Sequence, residues 1–224
     1  MLQIRILFIL VVAFSCSSTG TKVKKGDKMT YLALGDSYTI GEAVSAESRW
    51  PDLLTKQLKE DSIEVDLTIV AKTGWTTGEL KKGIAKADLN EKYDLVSLLI
   101  GVNNQYRGYS LDEYEHEFKE LLSQALVYAD NDPRRVFVVS IPDYGVTPFA
   151  AEKNLNPEKI SDELHHFNAV AHKIARLRDV KFVDITEKSL DVRNDPMLIA
   201  DDGLHPSGKM YEVWAKMVYE QVFQ

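Results

Sequence analysis

Five apolar runs of strand length punctuate the chain, and segments with helical spacing lie between them. The runs are "TYLALGD" (Thr30–Asp36), "EVDLTIVAK" (Glu64–Lys72), "DLVSLLIG" (Asp94–Gly101), "RVFVVSIP" (Arg135–Pro142) and "KFVDIT" (Lys181–Thr186). Leu111, Tyr114, Phe118, Leu121, Leu122 and Ala125 recur at intervals of three and four, as one face of a helix requires. Leu164, Phe167, Val170, Ala171 and Ile174 repeat that spacing, as do Met210, Val213, Trp214, Met217 and Val218. Strand followed by helix, five times over, predicts a three-layer α/β/α domain around a parallel sheet.

The strands differ in a way that orders them. The third and fourth are almost continuously apolar, as strands covered on both faces are. The second and fifth carry alternating polar residues, as edges do. Central third and fourth strands with edge second and fifth strands fit the flavodoxin-like order 2-1-3-4-5. In that order ligands bind outside the strands' carboxyl ends, at the switch point between strands 1 and 3. The loops expected there carry Ser37, the "KTGW" segment with Gly74, and "GVNN" with Asn103.

The first fifteen residues break the pattern. Arg5 is their only charge, and Ile6–Phe14 is apolar throughout. A run that short does not span a bilayer, which needs about 20 residues, but it suits the core of a signal peptide. Ser15 then precedes Cys16, the only cysteine, in a setting similar to a bacterial lipoprotein signal. The expected organisation is a signal peptide at 1–15, a Ser- and Lys-rich tether at 16–28 beginning at a lipidated Cys16, and one domain at 29–224. The expected location is the cell envelope, with the lipid as the only membrane attachment; the alternative is simple secretion. The remaining body has no cysteine, so no intrachain disulfide holds it. The net charge of −7 over 224 residues argues against nucleic acid as a partner, because phosphate binding rests on Lys and Arg.

Gly35-Asp36-Ser37 has two readings. Glycine permits a bend and Asp or Ser caps a helix, so the triplet is an ordinary strand-to-helix junction. The same junction also holds Ser37 where a nucleophile would sit. Asp36 reads as a turn or capping residue. Asp201 and Asp202, and Asn103 and Asn104, each offer two candidates for one role. His116, His165, His166 and His172 lie on helices and read as solvated faces, although Asp162 and His166 are four apart. The Pro142–Pro157 stretch reads as a mobile flap near the site.

Four short motifs stand in order: "GDS" at 35–37, Gly74 in "AKTGWTT", "GVNN" at 101–104 and "DDGLHPS" at 201–207. Together they resemble the blocks of the SGNH hydrolases, also called GDSL esterases and lipases, over residues 30 to 210. Tyr38 stands where the family's nickname has Leu. The resemblance implies that Ser37 is the nucleophile and His205 the general base. It implies that Asp202 orients His205, and that the N–H groups of Ser37 and Gly74 and the amide of Asn103 form the oxyanion hole. The residue types suit that work. A serine hydroxyl needs a base within reach, and imidazole exchanges protons near neutral pH. A carboxylate on its other nitrogen selects the tautomer. Tyr38, Trp75 and Tyr106 are candidate pocket residues.

The implied activity is hydrolysis of acyl or acetyl esters of lipids or glycans through an acyl-enzyme, with neither metal nor cofactor. Two alternatives stay open. Asp36, Asn103, Asp202 and His205 are candidate ligands of a metal-dependent phosphoesterase, and the scaffold also suits a non-catalytic glycan- or lipid-binding lipoprotein. A G-x-S-x-G elbow is absent, which disfavours another serine-hydrolase fold.

Overall fold

The computed structural model describes residues 28–224; the expected leader, Cys16 and all of the tether but Lys28 lie outside the described residues. The chain begins with β1 (Lys28–Gly35), a one-turn helix α1 (Ser37–Ile40) and α2 (Trp50–Glu60). Next come β2 (Glu64–Ala71), α3 (Thr77–Ile84), β3 (Leu95–Leu99), the short α4 (Val102–Tyr106) and α5 (Leu111–Tyr128). β4 (Val136–Val139), α6 (Pro148–Glu152), α7 (Pro157–Leu177), β5 (Lys181–Val183), α8 (Thr186–Ser189) and α9 (Gly208–Phe223) complete it. The strands pair in parallel in the order β2-β1-β3-β4-β5. Helices α2 and α9 cover one face of the sheet and α3, α5 and α7 the other.

The apolar content of each strand explains its place. β3 and β4 are buried at every position, whereas β2 and β5 are open edges. The one polar side chain inside β3, Ser97, meets the Tyr31 hydroxyl at 2.7 Å, so neither buried group is left unpaired. The three longest helices, α5, α7 and α9, each start at a cap. Ser110 accepts the Glu113 N–H, Asn156 the Lys159 N–H, and Ser207 the Met210 N–H. The buried stripe of α9 is Met210, Tyr211, Trp214, Ala215 and Val218; Val213 and Met217, expected on that stripe, are half-buried at its border.

Gly35 fixes where the site begins. It pairs with Ala71 on one side and Leu99 on the other, at the carboxyl end of all three strands. A Cβ there would lie 2.6 Å from the Leu99 carbonyl oxygen and 2.1 Å from Thr39 Oγ1. Gly35→Ala is therefore expected to destabilise the protein by about 1–3 kcal/mol through overpacking. Urea unfolding checks this, and an unchanged midpoint would show that the strand ends yield freely.

Candidate active site

The end of β1 places Ser37. Asp36 Oδ1 accepts the Tyr38 N–H at 3.0 Å and caps α1, which Gly41 ends at φ +72°. Ser37 is thus the first residue of a helical turn, and its N–H has no acceptor within that turn. Its side chain is buried, with the residue 4% exposed. Asp36 lies wholly inside the protein, and its Oδ2 has no hydrogen-bond partner. Burial pushes its carboxyl up to about 7, against the opposing pull of the Tyr38 N–H and the nearby Gly101 N–H.

The loop after β2 places Gly74. The Trp75 N–H closes a turn onto the Lys72 carbonyl at 3.2 Å, and Gly74 sits third in that turn at φ +83°. No acceptor among the described residues takes the Gly74 N–H. The loop after β3 places both asparagines, and they part company. Asn103 donates one amide N–H to the Trp75 carbonyl at 3.0 Å. An amide carries two N–H groups, so the second stays available to the cavity that Asn103 lines. Asn104 is buried, accepts the Thr77 N–H at 3.0 Å and donates to Thr77 Oγ1 at 2.7 Å. Its amide is consumed in fastening α4 to α3.

His205 comes from a self-contained turn. Ile199 and Pro206 form an antiparallel bridge, the Ala200 N–H donates to the His205 carbonyl at 2.8 Å, and Gly203 turns the chain at φ +72°. Within this turn Asp202 Oδ1 accepts the N–H groups of Leu204 and His205, each at 2.9 Å, and Oδ2 meets His205 Nδ1 at 2.5 Å. Burial tends to raise the Asp202 carboxyl, but the His205 ring and these two N–H groups outweigh it and hold it below the usual range. Asp202 is therefore an ionised acceptor at neutral pH. His205 Nδ1 must be the donor, and in the neutral ring that tautomer leaves the lone pair on Nε2. Asp201 is solvent-exposed and lines a different surface. Behind the imidazole, the buried Tyr38 ring meets it edge-on with centroids 5.7 Å apart, and Trp214 backs Tyr38 in turn.

Ser37, Gly74, Asn103 and His205 all line one cavity of about 130 Å³. Tyr38 and Tyr106 are in its wall. Trp75 is not, which corrects its expected place in the pocket. Its indole packs against Gly83 of α3, where a Cβ would lie 2.2 Å from the ring, so the side chain points under the helix. The rest of the wall was not anticipated: Thr73, Val102, Tyr144, Phe149 and Leu204. Three of these flank a motif residue directly, which was the available signal. Tyr144 and Phe149 come from the Pro142–Pro157 stretch, expected near the site. That stretch is folded and tied down by Asp143 N–H to Ser189 Oγ (2.9 Å), Tyr144 hydroxyl to Gln105 (2.9 Å) and Phe149 N–H to the Gly203 carbonyl (2.9 Å). No hydrogen bond joins the Ser37 hydroxyl to His205 among the described residues, although both line the cavity. A second groove of about 840 Å³, lined in part by Val44, Pro148, Met197, Asp201 and Gly203, holds none of these groups. Among the described residues no three of His, Cys, Asp and Glu gather closely enough to hold a metal ion. Of the candidates for that role, Asp202 uses both carboxylate oxygens on local N–H groups and on His205, and Asp36 uses Oδ1 on the Tyr38 N–H.

Comparison with known proteins bears on the family and the fold. A sequence profile of the GDSL-like Lipase/Acylhydrolase family matches residues 33–213. The arylesterase of Vibrio mimicus is 24% identical over 218 residues, covering 95% of each chain. Thioesterase 1/protease 1/lysophospholipase L1 of Escherichia coli K12 is 24% identical over 207 residues, covering 90% of this chain and 82% of its own. The crystal structure of Axe2, an acetylxylan esterase from Geobacillus stearothermophilus, has the same fold with a TM-score of 0.70, at 20% identity over 90% of this chain and 97% of that one.

The buried Asp36 has a measurable consequence. Its folded pKa of about 7 lies above the unfolded value of about 4, so the folded state holds the extra proton between them. Its contribution to stability is complete below about pH 4 and is lost as pH rises through 7, at up to roughly 1.4 kcal/mol per pH unit. Asp36→Asn keeps the cap and removes the charge. Its stability relative to the unmodified protein is expected to rise between about pH 4.5 and pH 8, as read from urea midpoints. Parallel pH dependences in the two proteins would contradict a buried, proton-holding Asp36.

Proposed function

The chain belongs to the GDSL-like lipase/acylhydrolase family, and we propose that it cleaves esters of short acyl groups by acyl transfer to Ser37. As a member of that family it is an SGNH-type esterase or acylhydrolase; the residue roles and the substrate size are our reading. The observation that carries the reading is that His205, oriented by Asp202 through Nδ1, lines the same small cavity as the Ser37 side chain, Gly74 and Asn103.

The chemistry follows from these groups. Ser37 Oγ attacks the ester carbonyl carbon while its proton passes to His205 Nε2. The carbonyl π electrons move to oxygen, and that anion is met by the N–H groups of Ser37 and Gly74 and the free amide N–H of Asn103. Asp202 stays ionised and stabilises the imidazolium. Collapse of the intermediate breaks the ester C–O bond, and Nε2 returns the proton to the leaving alcohol. Water then repeats the sequence on the acyl-enzyme, with His205 first as base and then as acid, releasing the carboxylic acid. Catalytic hydrogen bonds are often long before substrate arrives, so a Ser37–His205 contact is expected to form in the complex.

Cavity size bears on the acyl group. A cavity of about 150 Å³ lined by apolar side chains takes one benzene ring. At about 130 Å³ this one has room for a short acyl chain or a single ring. Beyond the reacting groups and Thr73 its wall is apolar and aromatic: Tyr38, Val102, Tyr106, Tyr144, Phe149 and Leu204. The acetylxylan esterase and arylesterase among its relatives support this reading; the thioesterase/lysophospholipase points to the competing, larger acyl group.

A p-nitrophenyl ester series tests it together with a fluorophosphonate probe. Acetyl to butyryl esters are expected to exceed the palmitoyl ester in kcat/KM by at least about tenfold, a modest loss of pocket fit. Ser37→Ala is expected to abolish labelling and lower kcat by at least about 10³-fold, with chelator without effect. Preference for palmitoyl would contradict the substrate size, and turnover that survives Ser37→Ala would contradict the mechanism.

A further inference from the structure

The Gly74 N–H points where its turn sends it. A turn closed from its fourth N–H to its first carbonyl, with a left-handed third residue, has the type II form. The Lys72–Trp75 turn meets both conditions. In that form the central peptide, which joins the Thr73 carbonyl to the Gly74 N–H, is turned over relative to a type I turn, while the flanking chain hardly moves. The direction of this N–H is set by the turn type, which glycine in the third position favours, and its position by where the turn is anchored. What remains is to fix the anchor.

Arg107, immediately after α4, is placed to do so. Its Nη2 donates to the Gly74 carbonyl at 2.5 Å and its Nη1 to Glu79 Oε2 at 3.2 Å. Glu79 Oε2 also accepts the Thr76 N–H at 2.9 Å, closing the capping box of α3. The guanidinium thus braces the peptide after Gly74 against the fixed end of a helix. A planar fork with two simultaneous contacts resists rotation in a way that a single contact does not. Arg107 is itself outside the cavity wall, with its side chain 40% exposed.

We propose that Arg107 is a positioning residue: by bridging the Gly74 carbonyl and Glu79 it anchors the 72–75 turn against α3, and so sets where the Gly74 N–H stands relative to the developing oxyanion. This rests on the reading of Gly74 as an oxyanion donor. The alternative role for an exposed pair of this kind is surface fastening, worth at most about 1 kcal/mol of stability and nothing in turnover.

The experiment compares Arg107→Ala, Arg107→Lys and Glu79→Gln with Asn103→Ala, all in the full chain. It measures kcat and KM for p-nitrophenyl acetate, the rate of fluorophosphonate inactivation, and Tm. Arg107→Ala is expected to lower kcat and the inactivation rate together, by about tenfold to a hundredfold, with KM within about twofold and the pH profile unmoved. Arg107→Lys keeps the charge but not the fork and is expected to recover only part of the loss. Glu79→Gln, which retains Arg107, is expected to lose activity in the same direction, and it carries the test where Arg107→Ala does not fold. A drop in Tm with kcat unchanged would overturn the proposal, as would full recovery with Lys, which would assign the effect to charge alone. Asn103→Ala separates the two levels of inference: loss there without loss in the Arg107 variants overturns the brace alone, and no loss in any of them overturns the oxyanion reading beneath it.

Discussion

Gly35 lies between two neighbours that leave it no room for a side chain, and much of the site depends on that closeness. It pairs with Ala71 and Leu99 at once, so three parallel strands finish at one level. Each chain then turns within a few residues, and what emerges is Ser37, Gly74 and Asn103 around a single cavity. The three come from separate strand–helix units and have no local reason to meet. Only the register of the sheet brings them together, and only a residue without a Cβ lets β1 and β3 close at that point. The buried Asp36 belongs to the same constraint. It caps α1 from inside the protein, and the burial that positions it also makes its charged form costly.

The remaining groups are organised differently. His205 and Asp202 sit on one tight turn, which their own backbone bonds complete. That pair is preassembled locally and then seated on the buried Tyr38 and Trp214 rings. The proposed oxyanion donors, by contrast, are held by long-range ties: Asn103 to the Trp75 carbonyl, Asn104 to Thr77, Arg107 to Gly74 and Glu79. Three side chains of the 103–107 segment, Asn103, Asn104 and Arg107, thus grip Trp75, Thr77 and Gly74, and Glu79, held by Arg107, takes the Thr76 N–H between them. One half of the site is rigid because it is short in sequence. The other half is rigid because two distant loops are stitched together.

Legibility in the sequence followed the same division. Continuous apolar runs at 94–101 and 135–142 against alternating ones at 64–72 and 181–186 separated central from edge strands, and the order 2-1-3-4-5 followed. That order already put Gly74 and Asn103 next to Ser37. The Asp202–His205 contact was also within reach, since three-residue spacing is a local property. What stayed hidden depends on contacts far away in sequence. Trp75 stood beside a motif and was expected in the pocket, yet Gly83 opens a slot beneath α3 that takes the indole instead. The Pro142–Pro157 stretch looked free because its composition is that of a loop; Ser189, Gln105 and Gly203 fasten it. Arg107 gave no signal, because nothing nearby in sequence reveals its partner carbonyl at Gly74.

The central claim is that three donors from three strand ends converge on one oxyanion formed at Ser37. A crystal structure of the fluorophosphonate adduct tests it most directly, because the phosphonyl oxygen stands in for that anion. The account predicts phosphorus bonded to Ser37 Oγ, with its non-bridging oxygen within about 2.7–3.1 Å of the Ser37 and Gly74 backbone nitrogens and Asn103 Nδ2. An adduct on another residue, or a phosphonyl oxygen turned away from Gly74 and Asn103 toward solvent, would contradict it.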